Sequence, residues 1–406
     1  MIQPHGGTLI NKDLPEIEKQ KILGEMDEFE KISINPETRK VIKSIAFGVF
    51  SPLEGFMNEN DTLNVLEHMY LENNSAWPFP IALDVSKNDL QNINIDDSVI
   101  LTNLSDDPIA LLKIEDIYDY NKKEFAEKIY GTTDINHPGV AKLFNQKEKL
   151  IGGEVFLINT LRGTFPELDL KPIETRVMFK TRGWNKVVAF QTRNPPHLGH
   201  EFVQKAGLTF VDGLFINPVI GKKKSGDFLD EVIINAYKEL IKNYYPKNRV
   251  VLSTFETEMR YAGPKEAIFH AIARKNFGCD HIIIGRDHAG VGDYYEPYDA
   301  HNIFENFPDL GIEPLFFRSL SYCTKCHSIV NDKICPHSTD LHKFFSGSKI
   351  RELVLAGKEP KSDVMRPEVA KVILSYKNPF CDWKIVFFRI FGISIPEELE
   401  NKNIEF

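Results

Sequence analysis

The sequence predicts an α/β protein in which a mostly β domain is followed by a domain with a parallel sheet. In residues 169–322, short apolar runs alternate with helical patterns, as in parallel strands joined by crossover helices. Residues 1–168 instead contain short apolar segments separated by turn residues, as β domains do. Residues 323–342 are rich in cysteine and predict a small metal-binding insert, and residues 343–406 are expected to form a helical C-terminal part.

The N-terminal domain is predicted from its apolar segments. They read PHGGTLI, IAFGVFSPLEGFM, WPFPIALDV, SVILTNL, PIALLKI and GEVFLI. A helix is expected at Pro15–Lys31. The domain has no basic run interleaved with aromatic residues, so RNA binding is not expected of it.

The central domain is expected to be a doubly wound sheet. The predicted strands are Val187–Phe190, Leu214–Ile220, Val250–Ser253, His281–Ile284 and Leu315–Phe317. The predicted helices between them are Glu201–Phe210, Phe228–Lys242, Pro264–Phe277 and approximately Asn302–Phe307. In such sheets, ligands bind beyond the carboxyl ends of the strands.

The first of these strand ends carries the most informative loop. Val187–Phe190 is a continuous apolar run, typical of a strand covered on both faces. Gln191–His200 follows as a polar turn with two prolines, and Glu201 begins a helical pattern. Arg193 can bind phosphate or sulfate oxygens with its guanidinium group, and Gly199 allows a ligand to approach the backbone. The junction therefore predicts an anion site at a helix N-terminus.

Three further loops follow predicted strands. Gly221–Asp227 is basic, which fits either a solvated loop or phosphate contact. Met259–Pro264 precedes a helix that has Pro at its start and an acid in its first turn. Gly285–Gly290 places a cation, a carboxylate and an imidazole between two glycines, which suits a nucleotide. Another arrangement fit for phosphates is expected at Ser348 and Arg351, with the hydroxyl at a helix start and the guanidinium one turn on.

Three cysteines and a histidine in residues 323–342 have the spacing of zinc ligands. They are Cys323, Cys326, Cys335 and His337. Three thiolates and an imidazole form a closed tetrahedral set, which is typical of structural zinc. His337 is very close to Cys335 in sequence, and His342 or His327 are alternative fourth ligands. A metal-free loop of reduced cysteines is the other interpretation.

The composition is that of a globular protein, with 42% hydrophobic and 26% charged residues. The formal net charge of −9 argues against nucleic acid or an anionic membrane as a general partner. The first residues lack a basic segment followed by an apolar one, so no secretory signal and a cytoplasmic location are expected. Trp383–Ile393 is apolar but too short to span a bilayer, and is expected to dock onto the body or another subunit.

Four motifs carry a resemblance to a known family. Gln191–His200, Q-T-R-N-P-P-H-L-G-H, and Gly285–Gly290, G-R-D-H-A-G, resemble the two signatures of ATP sulfurylase (sulfate adenylyltransferase), one of the H-x-G-H nucleotidyltransferases. Met259–Pro264 and Ser346–Arg351 resemble further elements of that family, with Ser348 in place of the usual Thr. The resemblance weakens beyond about residue 377. Without a Walker loop, the kinase domain fused to some relatives is not expected.

The resemblance extends to the domain organisation. Pro4–Gly7, Ser51–Met57 and Trp77–Pro80 resemble the PUA-like N-terminal domain of ATP sulfurylases. The implied domains are a PUA-like domain at 1–168, a Rossmann-like nucleotidyltransferase domain at 169–322, a zinc-binding insert at 323–342 and a C-terminal helical subdomain at 343–406.

The resemblance also implies a reaction and roles for individual residues. Sulfate attacks the α-phosphorus of ATP in line with departing diphosphate, Mg²⁺ accompanies the nucleotide, and the protein assembles into a homo-oligomer. The implied catalytic residues are Thr192, Arg193, Asn194, His197 and His200. The implied ATP-binding residues are Gln191, Thr192, Arg193, Asn194, His197, His200, Gly285, Arg286, Asp287 and His288. The implied sulfate ligands are Gln191, Arg193 and the backbone N–H of Ala289.

Two alternatives stay open at this point. Another H-x-G-H nucleotidyltransferase shares the sheet and the histidines but requires neither G-R-D-H-A-G nor the N-terminal β domain. A non-catalytic nucleotide-binding or RNA-binding scaffold is the second alternative. The physiological direction of the reaction is not determined by the sequence.

Overall fold

The computed structural model describes residues 2–159, 161–223 and 226–381. Trp383–Ile393, expected to dock onto the body, and Lys224 of the basic loop lie outside these ranges. None of the helices in the described ranges combines the length and apolar character needed to span a bilayer.

The N-terminal domain is built on a six-stranded sheet. Its strands are β1 (Glu30–Ser33), β2 (Gly55–Phe56), β3 (Leu83–Val85), β4 (Ser98–Thr102), β5 (Pro108–Asp119) and β6 (Lys149–Leu157). The strand order is β1-β4-β5-β6-β2, with β3 also on β6, and only β1 and β4 run parallel. The helices are α1 (Glu16–Gly24), α2 (Pro36–Ala46), α3 (Glu59–His68), α4 (Lys122–Tyr130) and α5 (Pro138–Phe144).

The helix predicted at Pro15–Lys31 is wrong in its second half. Helix α1 ends at Gly24, a 3₁₀ turn follows, and β1 begins at Glu30. Ile32 is only 1% exposed and lies opposite Leu101 of β4. Burial of Ile32 and the hydrogen bonds of the ladder outweigh the local helical pattern, since secondary-structure propensity is a weak preference that tertiary context overrides.

The central domain contains the predicted parallel sheet, also with six strands. Its strands are β7 (Val187–Thr192), β8 (Gly213–Ile220), β9 (Val250–Leu252), β10 (Phe255–Glu256), β11 (His281–Ile284) and β12 (Glu313–Phe316). The order is β10-β8-β7-β11-β12, with β9 also on β8, and every pairing is parallel. The helices are α6 (Pro172–Thr181), α7 (Leu198–Leu208), α8 (Asp230–Tyr244), α9 (Pro264–Asn276) and α10 (Asp299–Asn302), the last continued by a 3₁₀ turn to Asn306.

Every strand and helix predicted for this domain is present, and one shift in element ends affects the site. Strand β7 continues past Phe190 to Thr192, and α7 begins at Leu198 rather than at Glu201. Gln191 is therefore a strand residue paired with Asn217 of β8. His200 lies in the first turn of α7, and its backbone N–H donates to Nδ1 of His197 at 3.3 Å.

The cysteine-rich stretch and the C-terminal part complete the described chain. A three-stranded antiparallel sheet has the order β14-β13-β15. Its strands are β13 (Ser321–Cys323), β14 (Ser328–Val330) and β15 (His342–Phe344), and the helices that follow are α11 (Gly347–Leu355) and α12 (Pro367–Leu374). Val369 and Ile373 of α12 share an apolar core with Val232 and Ile233 of α8, so this part packs on the central domain.

The two large domains share a core, and α9 joins them. Phe50 of the N-terminal domain contacts Phe255 and Phe269 edge-on, with ring centroids 6.4 and 5.0 Å apart. At the end of α9, the side-chain amide of Asn276 donates to the carbonyls of Val49 and Ser51 at 2.9 and 3.0 Å. Helix α9 is thus anchored at its C-terminus in the domain interface.

Candidate functional site

The two signature loops lie side by side because their strands are neighbours. Strands β7 and β11 pair in parallel, with Val188 opposite His281 and Ala189 opposite Ile282. The loops that follow, Gln191–His200 and Gly285–Gly290, therefore leave the same edge of the sheet. This edge is the one at which α/β sheets bind ligands.

The first loop is shaped by its own side chains. The Thr192 hydroxyl accepts the backbone N–H of Asn194 and donates to the Asn194 carbonyl, both at 3.2 Å. Pro195 and Pro196 are buried. The hydroxyl of Thr192 thus holds the turn in shape.

His197 and His200 form a stacked pair at the start of α7. Their ring centroids are 3.7 Å apart, and Nδ1 of His197 caps the helix by accepting the His200 backbone N–H at 3.3 Å. Burial lowers the pKa of His197 well below its usual value and that of His200 to about 4. Both rings are therefore neutral at pH 7, and the cap leaves the proton of His197 on Nε2.

Arg193 has the features expected of an anion ligand. Its guanidinium carbon lies 5.2 Å from the centre of the Tyr261 ring. Its Nη1 is buried and has no hydrogen-bond partner among the described residues. Buried guanidinium nitrogens are normally paired, so this one marks a position where a ligand oxygen fits.

The second loop has an unusual backbone. Asp287 and Ala289 have φ angles of 52° and 60°, the left-handed region that residues other than glycine seldom adopt. The N–H of Asp287 donates to the Pro297 carbonyl at 2.8 Å, and the Ala289 carbonyl accepts the Gly263 N–H at 3.2 Å. The loop is held from outside in a strained form, as is common at ligand sites.

The Met259–Pro264 loop joins the second loop through that Gly263 contact. Its backbone is held by Glu266, whose carboxylate accepts the N–H groups of Arg260 and Ala262 at 2.9 and 3.1 Å. The Arg260 guanidinium carbon lies 4.9 Å from the Phe79 ring of the N-terminal domain.

His288, predicted to bind ATP, points partly into the protein. Its Nε2 is 3.0 Å from Nδ1 of His270 on α9, and both residues are buried. Sequence reasoning missed His270. Glu266, His270 and Arg274 recur every four residues and therefore lie on one face of α9. The residues between them, Ala267–Phe269 and Ala271–Ala273, are apolar. This row of polar residues in an apolar helix is the sequence pattern from which His270 could have been found.

The basic loop at Gly221–Asp227, which fits either a solvated loop or phosphate contact, has one lysine that is paired inside the protein. Lys223 is buried, and its ammonium lies 2.5 Å from the Asp230 carboxylate and 3.2 Å from the Phe228 carbonyl. Its charge is therefore used within the fold.

Arg351 holds the first loop in place. Its Nη2 donates at 3.1 Å to Oδ1 of both Asn194 and Asp227. Ser348 lies in the first turn of α11, at the helix start as expected, and Ser346 caps this helix by accepting the Lys349 N–H at 3.3 Å.

The four predicted metal ligands come together. One donor atom from each of Cys323, Cys326, Cys335 and His337 lies within 4.8 Å of the others. The sulfurs of Cys326 and Cys335 are 3.8 Å apart, and Nδ1 of His337 lies 3.2 to 3.5 Å from the three sulfurs.

These distances fit a tetrahedral metal ion. Zn–S bonds of about 2.3 Å give a tetrahedron edge of about 3.8 Å between sulfurs, and the shorter Zn–N bond gives about 3.5 Å. His342 lies beside the set, with Nε2 3.2 Å from the Cys335 sulfur. The cluster can bind a metal such as zinc.

Comparison with known proteins agrees with this geometry. The family described as ATP-sulfurylase matches residues 166–376, and the PUA-like domain matches residues 2–160. The sulfate adenylyltransferases of Thermococcus onnurineus (strain NA1) and Pyrococcus abyssi (strain GE5 / Orsay) are each 52% identical over 380 residues, covering 94% of this chain and 99% of each relative.

Among solved structures, one described as a hexameric APS kinase from Thiobacillus denitrificans shares the fold. The TM-score is 0.75 at 20% identity, over 93% of this chain and 69% of that one. From its relatives and its motifs, the chain belongs to the ATP-sulfurylase family.

Proposed function

We propose that this chain catalyses the reaction for which its relatives are named, in which ATP and sulfate give adenosine 5′-phosphosulfate and diphosphate. The observation that carries the proposal is the meeting of the two signature loops at adjacent strand ends. The first of them contains the buried Nη1 of Arg193, which has no hydrogen-bond partner in the described part of the chain. The proposed domain boundaries are 1–168 for the PUA-like domain, 169–322 for the catalytic domain, 323–342 for the metal-binding insert and 343–406 for the C-terminal subdomain.

The chemistry requires positioning and charge stabilisation rather than a base. Sulfate is fully ionised at neutral pH, so its oxygen attacks the α-phosphorus without losing a proton. Two unit charges 4 Å apart repel by about 4 kcal/mol at an effective dielectric of roughly 20, and the site has to offset this repulsion. Arg193, with Gln191 and the Ala289 N–H, holds sulfate in line with the departing diphosphate.

The two histidines act as neutral donors. Because Nδ1 of His197 caps α7, its Nε2–H is the group left to donate to a phosphate oxygen. His200 donates in the same way as negative charge builds on the leaving group. Donors that are fixed before the reaction stabilise that charge without reorganising.

The remaining proposed ligands hold ATP. They are Gln191, Thr192, Arg193, Asn194, Gly285, Arg286, Asp287 and His288. Mg²⁺ enters with ATP, is bound mainly by the phosphates, and neutralises part of their charge.

The metal in the cysteine cluster is proposed to be structural zinc. Three thiolates and His337 close the tetrahedron and leave no open position for a substrate. His337 is proposed as the fourth ligand because its Nδ1 is near all three sulfurs, whereas Nε2 of His342 contacts, among the described residues, only the Cys335 sulfur. The enzyme is further proposed to be a cytoplasmic homo-oligomer that is usable in either direction.

The test is sulfate-dependent exchange of labelled diphosphate into ATP. We expect exchange that requires sulfate and Mg²⁺. Exchange that depends instead on a phosphorylated alcohol or a mononucleotide would indicate another H-x-G-H nucleotidyltransferase. Tight RNA binding without any exchange would indicate a non-catalytic scaffold.

A further inference from the structure

A row of buried polar side chains on α9 reaches the second signature loop from the protein interior. Its members are Glu266 and His270, both 0% exposed, and they approach His288, which is 9% exposed. Nε2 of His288 lies 3.0 Å from Nδ1 of His270, and Nε2 of His270 lies 3.8 Å from Oε1 of Glu266. The three side chains form one line from the helix to the loop.

The carboxyl end of this line accepts hydrogen bonds on both of its oxygens. Each oxygen of Glu266 accepts a backbone N–H, one from Arg260 and one from Ala262. Burial raises the pKa of Glu266, and these hydrogen bonds together with the charges of Arg260 and Arg193 oppose that rise. Donors on both oxygens favour the charged form, so the oxygen that faces His270 is an acceptor.

The two imidazoles are neutral. Burial lowers the pKa of His270 well below its usual value and that of His288 to about 3. The buried guanidinium of Arg274, one turn further along α9, lowers both in the same direction. Each ring therefore carries a single N–H.

A neutral pair joined by one hydrogen bond has two arrangements of its protons. If the proton of His270 is on Nδ1, the lone pair of its Nε2 faces the Glu266 carboxylate, and two buried acceptors oppose each other. If the proton is on Nε2, it faces the carboxylate, and Nδ1 accepts the Nε2–H of His288. Only the second arrangement leaves no buried acceptor facing another, so it has the lower free energy.

The second arrangement determines the chemistry of His288. With its proton on Nε2, the other ring nitrogen, Nδ1, is an acceptor. No hydrogen bond to Nδ1 of His288 is present among the described residues. A neutral acceptor does not bind a phosphate oxygen, which is itself an acceptor, but it does bind an N–H or O–H group.

We propose that Glu266 and His270 are positioning residues that fix the tautomer of His288, so that its Nδ1 accepts a hydrogen bond from the nucleoside half of ATP, a ribose hydroxyl or the adenine amine. This inference rests on the proposed function, because it takes ATP as the ligand of the second loop. It assigns His288 to selection of the nucleoside and excludes it from the phosphates.

The first test reads the tautomer directly in the unmodified protein. The full chain is labelled with ¹⁵N-histidine, and long-range ¹H–¹⁵N correlation spectra at pH 7 show which ring nitrogen carries the proton. His288→Gln identifies the resonances by their loss. We expect a protonated Nε2 and an unprotonated Nδ1 on His288, and a proton on Nδ1 overturns the proposal.

The second test uses kinetics with His270→Phe and the matched surface control His68→Phe. We expect His270→Phe to raise KM for ATP about five- to tenfold, the effect of one hydrogen bond, with kcat within about twofold of wild type. The probes are ATP, 2′-deoxy-ATP, 3′-deoxy-ATP and purine riboside triphosphate. Each of the last three probes lacks one ribose hydroxyl or the adenine amine. With the probe that lacks the group donating to Nδ1 of His288, wild type and His270→Phe are expected to have equal KM.

Two outcomes of the kinetic test contradict the inference. A rise in KM of the same size for all four nucleotides means that His270 only supports the fold, and no rise at all means that it does not act on ATP. The spectra need no folded variant of His270, so the inference stays testable if that variant fails to fold.

The two proposals fail separately. A chain without sulfate-dependent exchange but with the proton on Nε2 of His288 removes the proposed function and keeps the tautomer assignment. A chain with sulfate-dependent exchange but with the proton on Nδ1 of His288 keeps the proposed function and removes the tautomer assignment.

Discussion

Replacing Arg193 with alanine removes the cation proposed to hold sulfate. Its Nη1 is buried without a partner among the described residues, so no hydrogen bond of the fold is lost at that atom. One unit charge about 4 Å from another contributes about 4 kcal/mol at an effective dielectric of roughly 20. At about 1.4 kcal/mol for each factor of ten, Arg193→Ala is expected to lower kcat/KM for sulfate about a thousandfold.

The assay is sulfate-dependent release of diphosphate, followed with ATP at saturation. Arg193→Lys separates charge from geometry, since lysine keeps the charge but loses the planar fork, and we expect intermediate activity. Arg249→Ala is the matched control, because Arg249 is exposed and donates to the Asp212 carbonyl at 2.9 Å at the opposite edge of the sheet.

Thermal unfolding completes this test. We expect Arg193→Ala to unfold within a few degrees of wild type, because the buried Nη1 makes no hydrogen bond among the described residues. A folded Arg193→Ala enzyme with kcat/KM for sulfate within threefold of wild type would refute the role given to this residue and the electrostatic reasoning behind it.

Three further predictions concern the hydrogen bonds of Arg351 to the first loop, the metal site and the pH dependence of stability. Lysine is shorter than arginine, so Arg351→Lys is expected to lose the hydrogen bonds that Nη2 donates to Asn194 and Asp227 and to lower kcat/KM for ATP about tenfold. The exposed-site control Lys349→Ala should not change it. Cys326→Ser should reduce zinc, measured by elemental analysis, from about one equivalent to near zero and lower the unfolding temperature. Burial lowers the pKa of His5 to about 4, so the unfolded chain binds its proton more readily and stability falls as pH drops from 6.5 toward 4. Between pH 7 and 5 this one group costs about 2 kcal/mol, and His5→Gln should lose correspondingly less in urea unfolding.

Each of these predictions has a result that contradicts it. Full activity of Arg351→Lys would show that the first loop keeps its shape unaided. Undiminished zinc in Cys326→Ser would place the metal elsewhere. An identical pH dependence of unfolding in His5→Gln and wild type would mean that folding does not change the pKa of His5.

The net charge of −9 does not conflict with two anionic substrates. Arg193, Arg260 and Arg286 belong to three loops that meet at one sheet edge, so cationic charge is concentrated where it is needed. The field at a site depends on nearby charges, because those more than about 10 Å away are screened by salt.

The sequence alone determined the order of elements and the chemistry of the loops. Val187–Phe190 is apolar throughout because both faces of that strand are covered, and a polar loop after such a strand indicates a ligand site wherever the strand lies. The spacing of Cys323, Cys326 and Cys335 likewise indicated a metal, because the ligands are close in the chain. These inferences need only local information.

Only the tertiary structure decided what lies next to what. The pairing of β7 with β11 brings together loops about 90 residues apart, and no local pattern encodes strand order. The cap by His197, the ion pair of Lys223 and the approach of His270 to His288 also depend on contacts between elements. Periodicity reports whether a residue is buried, whereas its partner is set by long-range packing, and the partner determines what a buried polar side chain can do.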